Sequence, residues 1–374
     1  MIPVYRPYLP KSALAHAHDA IDSAWLSSAG KYLGLAEAKL KELLGVKHVL
    51  LVNNGTSSCH LMSKCLRRKS SKKQIICGNN IYVAAHNSFL MDANDWELIP
   101  VDASESSWNV DPTLLEKAMI SYPDADVLVV HNVGNVIDVP KLQAAHSERL
   151  FVEDSCEGFL GCYGDKLTGT VSLCSAISFF GNKNITSGEG GALITNDDDL
   201  YDFAKCTHGQ GQSSKRYVHD MIGYNFRMTN IQAALLLGQL EVLPDILEMK
   251  SRVFSYYREK FANDERVVLQ ANEEGTTNAN WMFGLRIIGH KDYDAAERFF
   301  RNAGVEIRPM FYPMSAHGHL IDHPSIITDD ELRQGDKIAR QLNEECFILP
   351  SFPELKIEEQ EHIVATVFAY LDVI

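Results

Sequence analysis

The sequence has no Cys-x-x-Cys spacing, although it contains eight cysteines: Cys59, Cys65, Cys77, Cys156, Cys162, Cys174, Cys206 and Cys346. Neither a zinc ribbon nor a thioredoxin-type centre is therefore expected. Several of these thiols sit in apolar runs, where cysteine serves as a small core residue. Unpaired thiols fit a reducing compartment, so the expectation is cytoplasmic. No apolar run approaches the roughly 20 residues that span a bilayer. Met1-Ile-Pro-Val-Tyr-Arg6 lacks the charged-then-apolar layout of a signal peptide. Positive charge is also in deficit: 35 Lys and Arg stand against 49 Asp and Glu, a formal net charge of −14. A chain this acidic has no overall field for nucleic acid or an anionic membrane, and an anionic substrate would need a local site. Internal repeats and low-complexity stretches are absent.

What is present is an ordinary globular composition, 45 % hydrophobic and 22 % charged, over 374 residues. That length suits two or three domains. Residues 11–27 and 35–44 read as helices, the second stopped by Gly45. Apolar runs at 48–52, 74–77, 97–101, 127–130 and 150–152 read as strands, with helices at 55–66, 82–92, 112–119 and 138–146 between them. Strands alternating with helices imply an α/β fold built on a largely parallel sheet covered on both faces. Ligands of such sheets gather beyond the carboxyl ends of the strands. Near residue 240 the rhythm changes. A helical stretch over 230–261, interrupted near Pro244, leads to a strand-like run at 282–288, a helix at 293–303, an extended piece at 305–312 and a terminal helix at 357–372. The expected division is a large domain over 1–240 and a smaller α/β domain over 241–374.

Three local features carry chemistry. In Ser178-Phe-Phe-Gly-Asn-Lys183-Asn-Ile-Thr-Ser-Gly-Glu-Gly-Gly191 an apolar run delivers a lysine, and a glycine-rich turn leads into another apolar run. A Schiff-base lysine must supply a neutral amine, which partial desolvation between two buried strands favours. Taken alone, the segment reads more readily as a lysine in a hairpin loop. Leu150-Phe-Val-Glu-Asp154-Ser-Cys-Glu157 places a carboxylate at the end of a buried strand, either to hold a pyridine nitrogen protonated or to cap the next helix. Asn53-Asn-Gly55-Thr56-Ser57-Ser58 opens a helix after a strand, where backbone amides suit a phosphate and where Ser and Thr are also routine caps.

Strand–Gly-Thr–helix, then strand–Asp, then Ser-x4-Lys followed by Gly-Glu-Gly-Gly occur here in that order. Together they resemble the DegT/DnrJ/EryC1/StrS family of sugar aminotransferases, which depend on pyridoxal 5′-phosphate (PLP) and share the aspartate-aminotransferase fold, fold type I. Ser23-Ala-Trp-Leu-Ser-Ser28, Leu44-Gly-Val-Lys-His48, Gly223-Tyr-Asn-Phe-Arg-Met-Thr229, Asn230-Ile-Gln-Ala-Ala234, Trp281-Met-Phe283 and Arg308-Pro-Met-Phe-Tyr-Pro313 extend the likeness over nearly the whole chain. The resemblance implies a mostly parallel, seven-stranded-type sheet in the large domain. PLP is then the cofactor, with pyridoxamine 5′-phosphate as its intermediate form.

By the same resemblance Lys183 is the Schiff-base lysine and proton shuttle, and Asp154 the partner of the pyridine nitrogen. Tyr82 stacks on the ring. Gly55, Thr56, Ser57 and Ser178 cradle the phosphate, and Asn225 is lent to the neighbouring subunit's phosphate in a homodimer with shared sites. Glu157 falls near the ring's phenolic oxygen, where an ionised carboxylate is repulsive, so a sugar contact is equally open. Trp25, Ser28, His131, Trp281, Arg308 and Tyr312 are candidates for the sugar-nucleotide pocket. No metal is expected, because His317 and His319 have no further ligands beside them. Lysine rather than histidine at 183 separates the chain from the family's 3-dehydratases. Gly-Asn-Lys-x-Ile-Thr-x-Gly-Glu-Gly-Gly resembles the C4-aminating branch, the perosamine and viosamine synthases, with L-glutamate as donor and a nucleotide-linked 4-keto-6-deoxyhexose as acceptor. A C3-aminating enzyme and a non-catalytic PLP-binding regulator are the alternatives. Asn79-Asn80 and Asn135 depart from the family pattern near the expected pocket.

Overall fold

The computed structural model describes residues 1–92 and 95–374. In chain order the first strands are β1 (His48–Val52), β2 (Gln74–Gly78), β3 (Glu97–Val101), β4 (Ala125–Val130) and β5 (Phe151–Asp154). The short pair β6 (Cys162–Tyr163) and β7 (Lys166–Leu167) precedes β8 (Ser175–Ser178) and β9 (Gly191–Thr195). The C-terminal part adds β10 (Val267–Leu269), β11 (Thr276–Thr277), β12 (Phe283–Ile287), β13 (Arg308–Pro309) and β14 (Cys346–Leu349).

Seven of these form one sheet in the order β1-β9-β8-β5-β4-β2-β3. The five from β8 to β3 run parallel, and β9 runs antiparallel to both β8 and β1. Its strands are apolar on both faces because helices cover both. Leu50 and Val52 pack with helix Gly55–Lys69 on one side, while Val49 and Leu51 pack with helices Lys31–Leu44 and Asn230–Leu240 on the other. This is the two-residue alternation of a strand resolved into two cores. A four-stranded antiparallel sheet, β10-β12-β14-β13, forms the second layer system. Helices Leu243–Phe261, Tyr293–Asn302 and Ile357–Leu371 bury Phe254, Phe300 and Val367 against it. The small third sheet pairs β11 with β6 and β7.

Several expectations are modified. The first helix stops at Asp22, because Ala24 turns into the left-handed region (φ 59°). The stretch 230–261 is two helices, with Pro244 in the first turn of the second, where its missing N–H removes no helical bond. Of the extended piece 305–312, only Arg308–Pro309 pairs in a sheet. The sequence-distant ends also cross over. Ile2 pairs with Val305, whereas Met314, Leu320 and Leu332 pack into cores of the seven-stranded sheet. Among the described residues, no helix is long and apolar enough to cross a membrane.

Candidate active site

The loops leaving the carboxyl ends of β5 and β8 meet the N-terminus of helix Gly55–Lys69 around a cavity of about 440 Å³. Asn54 caps that helix, its side chain accepting the Ser57 N–H at 2.8 Å. The amides of Gly55 and Thr56 lead the helix, where first-turn N–H groups lack helical acceptors. A Cβ at Gly55 would stand 2.8 Å from Ser178 Cβ and 3.3 Å from Cys156 Sγ, so glycine is what lets the helix end approach Ser178 so closely. Gly55, Thr56 and Ser178 all line the cavity.

Asp154, the last residue of β5, is 6 % exposed. Its carboxylate accepts the Cys156 N–H at 2.9 Å, and the Cys59 thiol donates to it at 3.5 Å. Lys183 lies between the antiparallel neighbours β8 and β9, in a turn closed by its own N–H donating to the Phe180 carbonyl. Distant residues hold that turn, among them Ala279, whose carbonyl accepts from the Asn184 side chain at 2.7 Å. Tyr5 Oη–H donates to the Lys183 carbonyl at 2.7 Å, and the Trp281 indole N–H donates to the Asn182 carbonyl at 2.9 Å. The Trp281 ring also covers the Lys183 amine, with Nζ 3.7 Å from its centroid.

Glu157 lines the same cavity while being almost wholly buried. Burial pushes its carboxyl up to about 7, against the opposing pulls of Lys183 and of the Val133 N–H it accepts at 2.8 Å. Val133 holds that amide in place from a left-handed backbone (φ 57°), an unfavourable conformation for a β-branched residue. A carboxyl that titrates near neutrality can donate a hydrogen bond, which removes the repulsion expected of a permanent anion. Tyr82 and Arg308 complete the rim. Tyr82 is half exposed with its ring 5.8 Å from Phe311, and Arg308 is paired only loosely with Glu306, at 3.3 Å.

Other expected residues do not line the cavity. Ser57 is buried under the helix cap. His131 is fully buried: its Nδ1 accepts the Ile137 N–H, which leaves Nε2–H to donate to Glu153 at 3.0 Å. Both ring nitrogens are thus used inside the fold. Trp25 and Ser28 lie in a surface loop tied to Asn230 and Arg227, and Asn225 and Tyr312 are exposed elsewhere. The departures at Asn79 and Asn135 are structural: Asn79 bonds Asp336 and the Met314 N–H, and Asn135 bonds the Ser107 and Ala271 carbonyls. Sequence reasoning passed over Cys59, Cys156, Phe180, Asn182, Glu189 and Phe311, which do line the cavity. Cys156 and Phe180 each sit within three residues of a recognised site residue, and that proximity was the available signal.

A primary amine, a buried carboxylate and a helix N-terminus with glycine at its tip, all facing one cavity, fit the three polar parts of PLP: its aldehyde, its ring nitrogen and its phosphate. With the seven-stranded sheet, they define a PLP-dependent enzyme of fold type I. The chain belongs to the DegT/DnrJ/EryC1/StrS aminotransferase family, whose model matches residues 7–368. It is thus a member of a family of PLP-dependent sugar aminotransferases. It is 32 % identical to a GDP-perosamine synthase of Escherichia coli O157:H7 over 371 residues, 98 % of this chain and 97 % of that one. A GDP-perosamine synthase of Vibrio cholerae is 30 % identical over the full length of both chains. Among solved structures, the E. coli GDP-4-keto-6-deoxy-D-mannose-3-dehydratase with bound hydrated PLP superposes with a TM-score of 0.89 at 18 % identity, covering 98 % of this chain and 99 % of that one.

Proposed function

We propose that the protein transfers the amino group of L-glutamate to C4 of a nucleotide-linked 4-keto-6-deoxyhexose, with GDP-4-keto-6-deoxymannose as the preferred acceptor. The observation that carries this reading is the convergence of Lys183, Asp154 and the Gly55–Thr56 helix end on one cavity. The full-length similarity to GDP-perosamine synthases supports the choice of acceptor. Lysine at 183 favours transamination, since a histidine there could not form the Schiff base.

Bound PLP supplies an electron sink for a bond breaking at an amino-acid α-carbon. The amides of Gly55 and Thr56, with the Ser178 hydroxyl, hold its phosphate. Asp154 keeps a proton on the ring nitrogen. Lys183 Nζ would anchor the cofactor, and as a free amine it would be the base that takes the proton from the α-carbon of glutamate. The same amine would deliver a proton to C4 of the sugar in the second half of the reaction. Tyr82 and Glu157, which both line the cavity, would hold the cofactor's ring, Glu157 as a donor in its protonated form. Arg308, at the rim with one weak acidic partner, binds the diphosphate or the donor carboxylate. Asn225, exposed on the surface, serves the phosphate of a second copy. The exposed Tyr217 and Ile222 close by in sequence support such a copy docking there.

The deciding experiment incubates the holoenzyme and glutamate with a panel of GDP-, dTDP- and UDP-linked 4-keto and 3-keto sugars, the products being read by mass spectrometry and NMR. The expected product carries nitrogen at C4 of the GDP sugar. Preferential use of a dTDP or UDP sugar would move the assignment to a viosamine-type enzyme, and nitrogen at C3 would overturn it. Turnover of none of them by a protein that holds PLP would favour the regulator.

A further inference from the structure

Lys250 is the one lysine among the largest fully buried side chains, at 0 % exposed in the middle of helix Leu243–Phe261. It does not line the active-site cavity. Burial alone pushes its pKa well below the usual lysine range. Such a placement is unfavourable, because an apolar side chain of the same length would fill the space without desolvating an amine. What the amine gains is specific. Nζ donates to the Trp281 carbonyl at 2.7 Å and to the Ser351 carbonyl, and it lies 5.2 Å from the centre of the Tyr5 ring and 5.1 Å from that of Phe254.

Trp281 and Tyr5 both brace the turn that carries Lys183. The Trp281 ring covers the Lys183 amine and its indole N–H fixes the preceding carbonyl, while the Tyr5 hydroxyl fixes the carbonyl of Lys183 itself. One buried amine therefore lies against both of these braces without itself lining the cavity. The Trp281 segment depends on such support. It belongs to no helix or strand, and Asn280 just before it is left-handed (φ 50°). Without Lys250 the Trp281 carbonyl would lose its buried donor, and the backbone would shift to find another.

We propose that Lys250 is a positioning residue for the reaction at Lys183, setting through Trp281 and Tyr5 where the Lys183 amine stands relative to the cofactor. The proposal rests on the reading of Lys183 as the cofactor-bearing lysine. Its consequences fall on the chemical step and on the geometry of the bound cofactor, since Lys250 itself touches neither substrate nor cofactor.

The test compares the parent holoenzyme with Lys250→Met, which keeps an unbranched stem one atom shorter and removes the donors, and with Tyr5→Phe, which removes only the hydroxyl on the Lys183 carbonyl. Two readouts separate positioning from mere stability: the induced circular dichroism of the bound cofactor, and the split between kcat and KM for the amino donor. In Lys250→Met the cofactor remains on Lys183, its dichroic band changes in amplitude, kcat falls about ten- to a hundredfold as for a displaced reacting group, and KM stays close to that of the parent. Tyr5→Phe shifts the same two readouts in the same direction by less. A folded Lys250→Met with the parent's dichroism and kcat overturns the proposal. If Lys250→Met does not fold, Tyr5→Phe decides, and parental values there overturn it as well. A failure of the underlying reading looks different: borohydride reduction would then fix the cofactor to a residue other than Lys183 in the parent itself.

Discussion

Glu157 shows how environment sets the role of a single carboxyl. Its folded-state pKa, raised from 4.5 to about 7 by burial, means that the folded chain binds this proton more tightly than the unfolded chain does. Below the unfolded value both states are protonated and the group contributes nothing. As pH rises from the unfolded value to the folded one, only the unfolded chain gives up its proton, so the stability of the cofactor-free protein falls, and the loss is complete above about 7. Glu157→Gln keeps an acceptor for the Val133 N–H and removes the charge. It should therefore match the parent near about pH 4.5 and exceed it by about 3 kcal/mol above about pH 7, as measured by urea unfolding of the two apoproteins. Equal stability at the higher pH would place Glu157 in a more polar setting than the one described. At this scale the sequence showed the placement of residues at the cavity where the pattern is local. Lys183, Asp154 and Gly55 each sit at a junction of an apolar run and a turn. It was silent for Tyr5, whose bond to Lys183 spans 178 positions, and for Lys250, which looks like any lysine on an amphipathic helix. At His131 sequence position did not say which way the ring points, and it bonds inward to Glu153 and Ile137.

Elements were legible in proportion to how sharply they are punctuated. His48–Val52 and Glu97–Val101 fall where the apolar runs put them, and Gly45, left-handed at φ 64°, ends its helix as its sequence position implies. Strand β14 was not anticipated. Helix Lys337–Glu345 runs straight into it with no turn residue between, so the change from helix to strand has no local marker. Yet β14 is the central partner of β12 and β13 and fixes where Arg308 emerges at the cavity. The helix start at Gly55 makes its own prediction. Gly55→Ala places a methyl group 2.8 Å from Ser178 Cβ. The helix end must retreat, so the dissociation constant for PLP, followed by fluorescence during reconstitution, should rise about tenfold or more, with an overpacking loss of roughly 1–3 kcal/mol in stability. Unchanged PLP affinity would detach this helix end from the phosphate.

At the scale of the whole molecule, the crossing of the termini was hidden from the sequence because it is a packing of distant segments. The Ile2–Val305 bridge and the packing of Met314 and Leu320 on the large sheet depend on tertiary fit and on no local pattern. They also bring Tyr5 to the backbone of Lys183 and Arg308 to the cavity from opposite ends of the chain. The proposed dimer gives a prediction of its own. If Asn225 serves the partner's site, Lys183→Ala and Asn225→Ala proteins, each of low activity, should complement when subunits are exchanged. A heterodimer then has one site with both changes and one with neither, so an equal mixture should recover about a quarter of the parental activity. No recovery would return Asn225 to its own chain's site or remove it from catalysis.

The central claim is that the chemistry resides at Lys183, and borohydride reduction of the holoenzyme followed by peptide mass spectrometry tests it most directly. A single pyridoxyl group on the peptide containing Lys183, absent from Lys183→Ala, is the predicted result. A reduced adduct on any other lysine, or one that persists in Lys183→Ala, would contradict it.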